Sequence, residues 1–142
     1  MQHRAIWKQH NKIKYLTIAL ITILTMACSA SPPDSMMQNN VTIQSKDGKV
    51  LYKSNGSLKD LMDNYWSPVA KSKIKCSKSG GAYEFSFKSK SYDKVELTIA
   101  ENGNLKKLIF KGGSDTMEVT DEKADALHNV AMGLFQFDAV NQ

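Results

Sequence analysis

The sequence predicts an α+β fold: an antiparallel sheet of three hairpins with two amphipathic helices packed on one face. Asp47-Gly48, Gly80-Gly81 and Asn102-Gly103 each separate two runs of alternating apolar and polar residues. That period-2 pattern around a glycine turn marks half-buried strands. Stretches beginning at Leu58 and at Ala124 instead carry apolar residues at helical spacing. The order hairpin, helix, two hairpins, helix contains no βαβ crossover, which favours antiparallel pairing with helices on one side.

The first hairpin joins Val41–Ser45 to Lys49–Lys53. A two-residue type I′ turn at Asp47-Gly48 sets Ile43 opposite Tyr52 and Ser45 opposite Val50, with Val41, Ile43, Val50 and Tyr52 on one face. Asn55-Gly56-Ser57 is a break followed by an N-cap. Leu58, Leu61, Met62, Tyr65 and Val69 then form a helical stripe, which Pro68 ends or kinks. Trp66 sits beside the stripe, either at the core edge or as an exposed anchor.

In the second hairpin, Lys71–Lys78 and Ala82–Lys90 meet at Gly80-Gly81. A two-residue turn there pairs Cys76 with Phe85 and Ile74 with Phe87, burying Cys76 on the face that holds Tyr83. In the third, a type I′ turn at Asn102-Gly103 sets Leu97 opposite Leu108 and Val95 opposite Phe110. Gly112-Gly113 breaks the chain before a short strand, Thr116–Thr120. Thr120 is the expected N-cap of the last helix. Asp121, Glu122 and Asp125 suit the dipole at its start, and Ala124, Leu127, Ala131 and Leu134 form its stripe, widened by Val130 and Phe135.

Ahead of this domain the composition changes. Residues 1–14 carry Arg4, Lys8, Lys12 and Lys14 and no acid, and the uncharged, mostly apolar run Tyr15–Ala27 follows. A membrane span needs about 20 apolar residues. The run is too short for one, and its layout is that of an export signal. Thr25-Met26-Ala27-Cys28 closes the run with a small residue before a cysteine. This segment resembles the lipobox of bacterial lipoprotein precursors, with Ala27 and Cys28 at the two most demanding positions and Thr25 in place of the usual Leu. The resemblance covers residues 1–29 only. It implies cleavage before Cys28, lipidation of its thiol and a membrane anchor on that residue. Ser29, where an Asp would mean inner-membrane retention, implies an outer-membrane location facing the periplasm. The competing possibility is cleavage after Ala30, which would release a soluble domain. The expected organisation is a signal peptide over 1–27, a lipid-anchored linker over 28–40 and a single α+β domain over 41–142.

The formal charge of +5 belongs mainly to the signal. Four of the 19 basic residues lie there, so fifteen lysines and no arginine face all 14 acids in the remainder. A nucleic-acid partner calls for a basic excess and for bidentate Arg contacts. The chain has neither, and nucleic acid is not expected.

No complete catalytic, metal or cofactor set is visible. After residue 27 the sole histidine is His128, without ligand spacing around it. A Cys76–His128 thiol–imidazole pair conflicts with the core position predicted for Cys76. Asp60 with Asp63, and Asp121 with Asp125, fit solvated helix faces. Lys111-Gly-Gly-Ser-Asp115 lacks the glycine pattern and following Lys-Ser/Thr of a phosphate loop and fits a turn. One cluster stands out. On the hairpin face opposite Cys76 lie Lys71, Lys73, Lys75, Lys88 and Lys90, with Lys73 expected opposite Lys88. Like charges across a strand pair are unfavourable, which makes these lysines a candidate face for an anionic partner, although lysines also guard an exposed sheet against aggregation. The expectation is a non-enzymatic binding or accessory module anchored at the cell envelope through Cys28, for an envelope protein or anionic surface ligand. The alternative is a soluble periplasmic or secreted inhibitor of an envelope enzyme.

Overall fold

The computed structural model describes residues 31–140. The signal segment, Cys28 and the Ala30 cleavage position lie outside the described residues. The chain folds as α+β with two antiparallel sheets. A one-turn helix α1 (Asp34–Gln38) leads into β1 (Asn40–Gln44) and β2 (Val50–Ser57). Helix α2 (Leu58–Leu61) continues as a π-helical turn over Met62–Trp66. Five strands follow: β3 (Lys75–Ser79), β4 (Ala82–Phe87), β5 (Lys94–Ala100), β6 (Leu105–Gly112) and β7 (Asp115–Thr120). A 3₁₀ turn (Asp121–Lys123), helix α3 (Ala124–Ala131) and β8 (Phe137–Ala139) complete the described chain.

The single sheet expected from three hairpins is divided. Strands β3 to β7 form one meander in sequential order, and β1, β2 and β8 form a separate three-stranded sheet. The division arises because β2 finds its second partner in β8, pairing Tyr52 with Ala139 and Ser54 with Phe137. A single parallel bridge, Thr42 to Asn104, joins the two sheets: the Thr42 N–H donates to the Gly103 carbonyl at 2.9 Å, and the Gln44 N–H to Asn104 Oδ1 at 3.1 Å. The segment expected to be linker also differs. Residues 34–38 are helical and seat Met36 in the core at 3 % exposure, so the packed chain reaches back beyond Val41.

The central register agrees with the alternation: Ile43 lies opposite Tyr52, Cys76 opposite Phe85, Leu97 opposite Leu108 and Val95 opposite Phe110. The turns differ. Among the described residues only glycines have positive φ, whereas a type I′ turn needs positive φ at both central positions. At Ser45–Gly48 the Gly48 N–H donates to the Ser45 carbonyl at 3.0 Å, and at Ala100–Gly103 the Gly103 N–H donates to the Ala100 carbonyl at 2.8 Å. Each is a type I turn closed by a glycine in the left-handed region, and a bulge absorbs the extra residue. Val50 therefore lies opposite Gln44 and not Ser45. Gly80-Gly81 is a two-residue turn with positive φ at Gly80 alone, the type II′ pattern.

One face of the meander carries three apolar rows read across the strands. Tyr83, Ile99 and Leu105 form one, and Cys76, Phe85, Leu97, Leu108 and Val119 the second. Phe87, Val95, Phe110 and Met117 form the third. Leu58, Leu61 and Trp66 from α2 and its π turn, Leu127 and Ala131 from α3, and Val41 and Ile43 from β1 complete the same core. Ser57 caps α2 as a capping box: the Asp60 N–H donates to Ser57 Oγ at 3.2 Å, and the Ser57 N–H to Asp60 Oδ2 at 3.1 Å. Thr120, by contrast, makes no side-chain cap, and the chain enters α3 through the 3₁₀ turn. Among the described residues no helix is long and apolar enough to cross a membrane.

Gly103 carries two constraints at once. Its φ is +93°, and a Cβ there would sit 2.8 Å from the Asn40 carbonyl oxygen, where the two sheets touch. Gly80 also has positive φ, but a Cβ there meets nothing within 4 Å. Gly80→Ala is therefore expected to cost about 1 kcal/mol, the left-handed penalty alone. Gly103→Ala, which adds a backbone clash to that penalty, is expected to cost more than about 2 kcal/mol. Denaturant midpoints of the two variants check this. Equal losses would mean that the contact between the sheets is slack.

Candidate functional site

The third apolar row is the least covered. Phe87, Val95, Phe110 and Met117 form the floor of a groove of about 550 Å3. Its walls are the C-terminal ends of both helical segments: Pro68 and Val69 beyond the π turn, and Val130, Gly133 and Leu134 at the end of α3. The carbonyls at these ends are taken up locally. Trp66 O accepts from the Val69 and Ala70 N–H groups, and Ala131 O from those of Leu134 and Phe135. The fourth side is the loop between β4 and β5. Its Ser89 N–H donates to the Tyr92 carbonyl at 3.0 Å, and the Tyr92 N–H returns to Ser89 Oγ at 3.1 Å. That internal pairing holds Lys90 and Tyr92 beside the groove, with the Tyr92 ring 4.7 Å from the Phe110 ring.

The exposed large hydrophobic side chains of the described residues are Val69, Tyr92, Met117 and Met132. Three of them line this groove, and Met132 directly precedes Gly133 in its wall. Scattered exposed apolar residues are ordinary, but a contiguous set in a concavity marks a binding surface. Lys71 and Lys90 are the charged members of the lining, which contains no carboxylate.

The five candidate lysines are divided between two neighbouring surfaces. Lys71 and Lys90 belong to the groove, whereas Lys73, Lys75 and Lys88 line a shallow depression of about 160 Å3 beside it, with Asp93 and Lys94. Lys73 does not pair across from Lys88. The Lys71 N–H donates to the Lys88 carbonyl at 2.6 Å, and Ser72 Oγ accepts the Lys88 N–H at 2.8 Å. The serine hydroxyl takes the place of a backbone partner, so the strand begins only at Lys75, and Ile74 is not laddered to Phe87. The like-charge pair expected across the ladder is thereby removed. Among the described residues none of these five lysines makes an ion pair.

The other candidates have structural partners. Asp60 completes the capping box, and Asp63 pairs with Lys59 at 2.7 Å. Asp121 pairs with Lys106 at 2.7 Å, while Asp125 Oδ1 accepts the Tyr52 hydroxyl at 3.1 Å and holds that phenol above its usual pKa. His128 stacks on Tyr52 with ring centroids 3.8 Å apart and leans on Phe137 at 5.9 Å, tying α3 to the three-stranded sheet. No hydrogen bond joins it to Cys76 among the described residues. Gly113 and Ser114 make a turn whose Gly113 N–H donates to Asp93 Oδ2 at 3.1 Å. No group of three or more His, Cys, Asp or Glu side chains able to hold a metal occurs among the described residues.

Little in the sequence marks the groove. Val69 was expected in the core, but the helix has ended before it, and it is 43 % exposed. Met117 was legible in principle, since alternation with Val119 puts both on the core side, and the register carries Met117 onto Phe110. Tyr92, in a loop, gave no signal. The sequence matches no known family model, and comparison with curated proteins and with solved structures finds no match.

The alternation places Cys76 in the core among apolar side chains. It lies on the core side but on the outermost strand, half-buried, and burial pushes its thiol up from 9.0 to about 11. Thiolate is the reactive form. Alkylation near pH 8 is therefore expected to run about tenfold or more slower in the native than in the unfolded chain, because the fall in thiolate fraction outweighs the greater nucleophilicity of the more basic thiolate. The sign for stability is set by the same difference. Between pH 9 and about 11 the unfolded thiol has ionised and the folded one has not, so the contribution of Cys76 is intact below pH 9 and declines as pH rises through that window. Equal native and unfolded alkylation rates would show that Cys76 is not shielded.

Proposed function

We propose that this chain is an envelope lipoprotein, anchored in the membrane through Cys28, whose domain acts by binding and without catalysis, and that the groove over Phe87, Val95, Phe110 and Met117 is its binding site. One observation carries the choice of site: among the described residues, three of the four exposed large hydrophobic side chains line this one concavity. A volume of about 550 Å3 lies in the roughly 300–1,000 Å3 range of small-ligand sites. The lipobox-like run ending in Cys28 supports the anchor and, with Ser29, an outer-membrane location facing the periplasm. The candidate carboxylates Asp60, Asp63, Asp121 and Asp125 and the His128 ring have partners that belong to the folded frame, and this supports binding over chemistry.

The anchor is tested by the intact mass of protein extracted from its host's membranes. The expected mass is that of residues 28–142 plus acyl chains, and Cys28→Ser is expected to move the protein out of the membrane fraction. An unacylated chain starting at Ser31 in the soluble fraction would refute the anchor. The groove is tested with the hydrophobic dye anilinonaphthalene sulfonate on the native protein. Val69→Gln with Met117→Gln is expected to abolish dye binding. Both positions are exposed, so the unfolding midpoint is expected to change by less than about 0.5 kcal/mol in equivalent stability. Dye binding unaffected by the pair would place any apolar site elsewhere.

A further inference from the structure

We infer that the groove takes an anionic amphiphile with a single aliphatic chain, the chain lying along the Phe87–Val95–Phe110–Met117 row and the anionic head meeting Lys71 and Lys90. This rests on the groove being the binding site and adds the class of ligand. Shape and charge point the same way. The floor is a straight cross-strand row of side chains, and the walls at Val69, Val130 and Leu134 are also apolar. Phe87, Val95 and Phe110 are nearly buried, so an aliphatic chain over this row finds its apolar contact chiefly at Val69, Tyr92 and Met117, while the trough presents few groups that would satisfy a polar peptide backbone. A volume of about 550 Å3 is within the roughly 300–1,000 Å3 range of small-ligand sites, which is enough for a single aliphatic chain.

The charge of the lining is one-sided. Lys71 and Lys90 bring two cations and no carboxylate opposes them. Neither lysine is engaged in an ion pair among the described residues, which leaves both ammonium groups free to meet an anion. In the adjoining depression Lys73, Lys75, Lys88 and Lys94 outnumber the one carboxylate, Asp93, which leaves a net positive charge on the same side. An anion at this end of the trough is attracted, and a cationic head is repelled. Ser89 and Ser91 supply hydroxyls in the same loop.

The test is calorimetric titration of the full chain carrying Cys28→Ser, so that no acyl anchor of its own competes. The probes are sodium octanoate, decanoate, dodecanoate and tetradecanoate below their micellar concentrations, then monododecanoylglycerol and dodecyltrimethylammonium as neutral and cationic counterparts. Affinity is expected to rise by up to about fourfold per added methylene until the trough is filled. Dodecanoate is expected to bind roughly tenfold more tightly than the neutral glyceride, with an advantage that shrinks as salt is added. Lys71→Glu with Lys90→Glu is expected to erase that advantage, and an unfolding midpoint equal to that of the parent chain shows that the variant is folded. Chain-matched lysophosphatidate separates the two sources of such a head: tighter binding than dodecanoate assigns a phospholipid, weaker binding a free fatty acid.

Equal affinity for dodecanoate, the glyceride and the ammonium compound would overturn the anionic class and leave the groove standing as an apolar site. Binding of the anilinonaphthalene dye without any of the amphiphiles would overturn the aliphatic ligand. Failure of dye and amphiphiles alike would overturn the groove itself, and with it the function proposed above.

Discussion

The Trp66 side chain is the point on which the layers of this domain converge. It is completely buried, its ring sits edge-on to Phe85 of β4 at 5.4 Å and to Phe135 at 5.6 Å, and its indole N–H donates to the Leu134 carbonyl at 2.9 Å. One residue thus couples the five-stranded sheet, the first helical segment and the chain leaving α3. A buried indole N–H needs a partner. Leu134 O, in a loop just past a helix end, would itself be costly to leave unpaired, on the order of 1–3 kcal/mol. The bond satisfies both groups and fixes the height of Leu134 over the sheet. The π turn makes this possible. In a continuous α-helix starting at Leu58, Trp66 would stand roughly 80° around from that residue. The wider i→i+5 turn, closed by the Ser67 N–H on the Met62 carbonyl at 2.8 Å, brings Trp66 back into line with Leu58 and Leu61.

The same turn accounts for the groove. Residues 62–66 use their length to bring Trp66 inward, and the chain then stops being helical at Ser67-Pro68, so Val69 never reaches the position that an uninterrupted stripe would give it. On the other side α3 ends at Ala131, and Gly133 contributes no side chain to the wall. The meander offers three apolar rows, and the third extends past the ends of both helical segments. Phe87, Val95 and Phe110 are still shielded by one another and by Tyr92 and Leu134, while Met117 at the edge of the sheet is not.

Much of the fold was legible because side-chain alternation fixes which residues can face each other far from a turn, whatever the turn is. Ile43–Tyr52, Cys76–Phe85, Leu97–Leu108 and Val95–Phe110 all follow from alternation alone. The turn types did not follow, since Asp-Gly and Asn-Gly serve both a type I′ turn and a type I turn with a glycine bulge, and the bulge hides the one-residue difference within a strand. The division into two sheets was not legible either. It depends on β8, three residues long, pairing with β2 more than eighty residues earlier, and so short a run carries no periodicity. Trp66 was ambiguous for a related reason, because no residue type announces an i→i+5 turn.

The lysines show how a charge pattern changes meaning once the backbone is placed. Read as a regular strand, Lys71, Lys73 and Lys75 facing Lys88 and Lys90 form a like-charged ladder whose cost demands an explanation. Ser72 dissolves that problem by accepting the Lys88 N–H and bending the chain, so the cations spread over a loop, where water screens them. The number of lysines then carries little weight. What remains informative is where two of them end up. Lys71 and Lys90 flank an apolar trough that no carboxylate lines, although the acids after residue 27 nearly equal the lysines in number. Placed at random, those acids would leave few surfaces of one sign. It is the local asymmetry beside apolar surface, and not net charge, that gives this end of the sheet its chemical character.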